Sequence, residues 1–128
     1  VRRALLLIAA LIALIAATAA MASVQSGRYG GVTEQKNDVT IRVDSRGGHH
    51  FVGSFSSVLD VRCNGQNLGY RVIKPGGTVG IGQEGRAHFQ SHNNTIAVGM
   101  QFTGGRVEGH IGFKTHSCQG GTSFTAKI

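Results

Sequence analysis

The sequence predicts an all-β fold: an antiparallel β-sandwich of about eight or nine short strands, held by one disulfide and preceded by an N-terminal signal helix. Three observations point there. All 20 Gly lie beyond residue 26, spaced so that they punctuate short apolar runs. Those runs alternate with period two, and no stretch of the glycine-rich part shows helical periodicity. Cys63 and Cys118, the only cysteines, fall in an early and a late strand segment. A closed β-barrel is the alternative architecture.

Residues 1–22 read differently from the rest. Arg2 and Arg3 precede an apolar run from Ala4 to Ala17, and small residues lead to Ala20-Met21-Ala22 before Ser23. A short positive start, an apolar middle and a small-x-small end are the parts of a cleavable export signal. The expected organisation is therefore a signal peptide over 1–22 and a single β-sandwich domain over 23–128. The alternative is an uncleaved N-terminal membrane anchor, because Ala4 to Ala22 is just long enough to cross a bilayer. No cysteine follows the run, which closes the lipoprotein route, and the tandem arginines lack the polar context of a twin-arginine signal. General secretion follows, with a periplasmic or extracellular product and no membrane contact after cleavage. A short Ala/Leu-rich signal fits a bacterial source.

Each strand has its own justification. The earliest is expected at Val39 to Val43, the next from Phe51 to Cys63 through Phe55, Leu59 and Val61. Others follow at Leu68 to Ile73 and around Val79 to Ile81. The separators Ser45-Arg46-Gly47-Gly48, Asn64-Gly65-Gln66-Asn67 and Lys74-Pro75-Gly76-Gly77 are turn-rich. From Thr95 to Lys114 the alternation is clearest: Ile96, Val98, Met100 and Phe102 precede Gly104-Gly105, and Val107, Ile111 and Phe113 follow. Two glycines between such runs predict a two-residue hairpin turn. With Thr103 facing Arg106, Phe102 lies beside Val107, Val98 beside Ile111 and Ile96 beside Phe113, so the apolar side chains share one face. Asn93-Asn94 predicts a second tight turn that sets His92 against Thr95, Phe89 against Val98 and Ala87 against Met100. A last strand is expected near Phe124 to Ile128, after Gly120-Gly121.

Composition narrows the function classes. The net charge of +7 falls to about +5 without Arg2 and Arg3. Arg28, Arg42, Arg62, Arg86, Lys114 and Lys127 are scattered and no aromatic residues interleave them, so nucleic acid is not an expected partner and solubility explains the charge. In an oxidising compartment Cys63 and Cys118 are expected to pair. Closing so long a loop contributes on the order of 4 kcal/mol in the chain-entropy model.

Tyr29-x-Gly31-x-Thr33-x-Gln35, Cys63-Asn64-Gly65 and Gly85-x-x-x-Phe89 form a recognisable set of motifs. Gly99-x-x-Phe102, Val107-x-Gly109 and Cys118-x-x-Gly121-x-x-Phe124-x-Ala126 continue it. Together they resemble a group of small exported bacterial β-sandwich proteins over nearly all of the chain beyond the signal. The resemblance implies architecture and export. It carries no functional residues across.

Six histidines are many for this length. The register places His88 and His110 on either side of Gly99, on the outer face, about 10 Å apart. A metal site would use His88 and His110, with His92 as a further ligand, and would take zinc or copper. No cofactor is otherwise called for. On the same face Ala97, Gly99 and Gly112 form a bare strip on which a sugar chain, a peptide or the protein's own N-terminal segment can lie. For catalysis, His116-Ser117 lacks a matched acid, and the six carboxylates are dispersed. The sequence thus predicts a monomeric, non-catalytic binding or envelope-associated module, with envelope polysaccharide or another protein as partner. A metal-binding module ranks second and an enzyme with an unrecognised site third.

Overall fold

A computed structural model describes residues 23–91 and 93–128. The expected signal segment, its anchor alternative and His92 lie outside the described residues. Among the described residues no helix is long and apolar enough to cross a membrane.

The described residues form nine antiparallel strands. They are β1 Gly27–Thr33, β2 Asp38–Arg46 and β3 His49–Cys63, then β4 Gln66–Ile73 and the short β5 Val79–Gly80. The second half contains β6 Arg86–Ser91, β7 Ile96–Thr103, β8 Arg106–Lys114 and β9 Cys118–Lys127. One hydrogen-bonded path runs β4-β3-β2-β1-β9-β8-β7-β6, and β5 pairs with β3. The path folds over where β1 meets β9, so its two halves face each other across a single core. Rings from the two halves meet there: Phe55 with Phe89 at 5.4 Å, Tyr29 with Phe102 at 5.5 Å and Tyr70 with Phe113 at 5.0 Å between centroids. The barrel alternative is realised locally, because β3 also pairs with β9 and closes a ring of β3, β2, β1 and β9.

The hairpin registers follow the sequence. Phe102 faces Val107, Val98 faces Ile111 and Ile96 faces Phe113, while Phe89 faces Val98 and Ala87 faces Met100. Alternation makes this unavoidable, since a slip of one residue would put every one of these side chains into water. The turns use the residues their backbones demand. Gly47-Gly48, Asn64-Gly65 and Asn93-Asn94 all have positive φ at both positions, as two-residue hairpins prefer.

Beyond extensions of one to three residues at the ends of β2 and at the start of β3, β1, β4 and β9 differ from the sequence expectation. β1 has no counterpart in it, because Gly27, Gly30 and Gly31 dilute its alternation. β4 starts at Gln66, directly after the two-residue turn, rather than at Leu68. β9 starts at Cys118 rather than Phe124, with Gly120-Gly121 inside the strand and paired to Phe113 and Gly112. A Cβ on Gly120 would meet the side chain of Val61 at 2.8 Å and the carbonyl of Asp60 at 2.9 Å. The glycines there permit a close approach of strands and do not mark a turn.

The ring is completed by side chains. Between the stretch of β3 paired with β2 and the stretch paired with β9, the Gln35 amide donates to the Asp60 carbonyl at 3.0 Å. Its oxygen accepts from the Asp60 N–H at 2.9 Å. Asn37 Nδ2 donates to the Val58 carbonyl at 3.0 Å. Two residues of the β1–β2 turn therefore satisfy backbone groups that no strand reaches. The disulfide closes the same corner, since Cys63 and Cys118 are directly opposed partners, 4.1 Å apart between Cα atoms.

Candidate functional site

The outer face of β6 to β9 carries the residues singled out from the sequence. Alternation sends Phe89, Val98, Ile111 and Phe124 into the core, and their neighbours outward in aligned rows. One row is His88, Gly99 and His110, as the hairpin register predicts, continued by Ser123 of β9. The next is Gln90, Ala97, Gly112 and Gly121. Gly121 extends the bare strip on to β9. Sequence reasoning missed it because Gly120-Gly121 resembled a turn, whereas the strand pattern of Thr122, Phe124 and Ala126, extended back to Cys118, would have revealed it.

The strip is the floor of a shallow trough along β7. Above it, a cavity of about 520 Å³ involves Arg86, His88, Gln101, Glu108 and His110. A second of about 340 Å³ continues past Gln90, Ala97 and Gly112, and both share His88, Gly99 and His110. No atom lies within 4 Å of where a Cβ on Gly99 or Gly112 would stand. One end of the trough is held by polar contacts. Arg86 Nε donates to Gln101 Oε1 at 3.1 Å, Gln101 Nε2 donates to the Glu84 carbonyl at 2.7 Å, and Glu108 pairs with Arg106 at 2.8 Å.

The two histidines share a row, yet the structure does not lean them toward each other. The His110 ring turns to β9, with Nδ1 3.4 Å from Ser123 Oγ and Nε2 3.5 Å from the Cβ position of Gly121. The gap over Gly99 stays open. Among the described residues no three His, Cys, Asp or Glu side chains gather around a point that would hold a metal ion. His92, the further ligand considered, lies outside them.

Residues 23–26, which lead into β1, run elsewhere. Gln25 N donates to the Gly104 carbonyl at 3.3 Å, Val24 packs on the core, and Tyr29 Oη donates to the Gln25 carbonyl at 2.6 Å. Residues 23–26 are thus tied to the β7–β8 turn and leave the trough uncovered. Tyr29 is completely buried, and burial pushes its phenol above the ordinary 10.0, with the Gln25 hydrogen bond pulling partly the other way. The His116-Ser117 pair sits in the β8–β9 turn, where Ser117 Oγ neighbours the disulfide sulfur of Cys118 at 4.0 Å. Both cysteines are consumed in that bond.

Searches against protein-family models, curated proteins and solved structures found no match to this chain.

Proposed function

We propose that this chain is an exported, non-catalytic binding module of the bacterial envelope, and that the trough along β7 receives an extended polysaccharide strand. The carrying observation is the open floor at Gly99 and Gly112 between polar side chains of β6 and β8. A flat floor admits a sugar chain edge-on, and His88 and Gln90 supply donors and acceptors along its β6 side. The Cys63–Cys118 disulfide fits an oxidising compartment, in keeping with the export signal read over residues 1–22. The resemblance to small exported β-sandwich proteins supports the export part of this reading, and the residues that carry it are structural. Tyr29 anchors the N-terminal segment, Gly31 admits the β9 backbone, and Gln35 bridges to β3.

The test is a thermal-shift screen of the purified exported protein against soluble envelope polysaccharides, with zinc and copper salts alongside. A polysaccharide should raise the melting temperature of the parent and not that of Gly99→Phe, a change the open floor accommodates. A shift with zinc or copper alone, lost in His110→Ala, would replace this reading with the metal-binding one.

A further inference from the structure

On the opposite outer face, the β1–β2 turn and strands β2, β3 and β4 enclose a polar cleft of about 410 Å³. Thr40 lies beside Ser56, and Val58 beside Arg71, so two hydroxyls and a guanidinium line one floor. Arg71 Nη1 reaches Ser56 Oγ at 3.5 Å. Lys36 and Asp38 come from the turn side. Among the described residues neither Lys36 nor Arg71 pairs with a carboxylate; the ion pairs made there are Arg42–Asp44, Arg86–Glu84 and Arg106–Glu108, at 3.2, 3.9 and 2.8 Å.

Lys36 is held where its backbone disfavours it. Its φ is +69°, and every other described residue with positive φ is Gly or Asn. Those two residue types accept the left-handed region at little cost, whereas a long side chain does not. A lysine kept at such a position places a cation beside the cleft at the expense of local backbone energy.

We infer that this cleft binds an acidic saccharide unit, its carboxylate between Lys36 and Arg71 and a ring hydroxyl donated to Asp38. Arg71 offers a planar fork that matches a carboxylate, and Lys36 adds a point charge. Asp38 is the discriminating element: it opposes a bare anion but accepts from a hydroxyl. Thr40 and Ser56 supply further donors on the floor. The inference does not rest on the β7 trough, which lies on the other layer.

The experiment titrates the purified exported protein with glucuronate, glucose and inorganic phosphate, by calorimetry or NMR. Glucuronate should bind, with glucose much weaker. Lys36→Gly should weaken glucuronate binding about fivefold or more, without lowering the melting temperature, because glycine suits the backbone there. Arg71→Gln should weaken it similarly. Asp38→Asn should weaken glucuronate and strengthen phosphate, and Gly99→Phe should change neither. Equal binding of glucose, or unchanged glucuronate affinity in both Lys36→Gly and Arg71→Gln, would overturn the site. Phosphate binding as tightly as glucuronate in the parent would overturn the saccharide assignment.

Discussion

The carbonyl oxygen of Thr125 occupies the place where a Cβ on Gly31 would stand. Gly31 pairs with Ala126 at the fold between the two halves of the sheet, and the strands approach there more closely than any side chain allows. Gly31→Ala must push β1 from β9 and open the corner on which both layers depend. Overpacking of a rigid interior costs about 1–3 kcal/mol, and here the obstacle is backbone. The expected loss of stability is at the upper end of that range or beyond, read from urea denaturation. Gly30→Ala, whose Cβ meets nothing within 4 Å, is the control and should be nearly neutral.

The Cys63–Cys118 bond spans 55 residues of chain and locks the ring of β3 and β9. Its reduction, or the double change to Ser, should destabilise by on the order of 4 kcal/mol in the chain-entropy model. For a domain of this size that corresponds to a fall in melting temperature of roughly 15–30 °C. An unchanged midpoint under reducing conditions would mean that the ring holds without the covalent link.

Alkaline pH should act on Tyr29. Its folded-state pKa lies above the ordinary 10.0, so the folded protein holds the phenolic proton more tightly than the unfolded chain. Stability from this group is therefore complete below pH 10 and is lost as pH rises through the folded pKa, with a limiting slope of about 1.4 kcal/mol per pH unit. Tyr29→Phe should be less stable at neutral pH by about 1–3 kcal/mol, having left the Gln25 carbonyl without its donor. It should also lack the alkaline component. Denaturation of both proteins between pH 8 and 11 measures the difference.

Gln35 replaces a missing strand for two backbone groups of Asp60. Gln35→Ala should cost about 1–2 kcal/mol, and hydrogen exchange should show it first at the Asp60 amide. Protection at Asp60 equal to that of the parent would assign the closure of the ring to other contacts.

The legible parts of this fold are those where one physical rule dominates. From Ala87 to Phe113 the side chains alternate so strictly that Gly104-Gly105 and Asn93-Asn94 had one register available, and His88, Gly99 and His110 were placed in a row from the sequence. β1 and the first half of β9 were not legible, because glycine there serves close backbone approach, at Gly31 against Thr125 and at Gly120 against Val61. A period-two pattern cannot report a side chain that is absent. The same glycine use hid Gly121 from the candidate strip. The direction of the His110 ring depends on Ser123, a contact between strands that spacing within one hairpin does not reveal. The Lys36–Arg71 cleft joins a turn to an edge strand far along the chain, and only the sheet order brings them together.

The most direct test is an amide NMR titration of the purified protein with a soluble envelope polysaccharide that shifts its melting temperature. Binding in the β7 trough predicts shifts centred on Gly99 and spreading to His88, Ala97, His110 and Gly112, lost in Gly99→Phe. Shifts confined to other surfaces, with the Gly99 row unmoved, would contradict the assignment of that trough as the binding face.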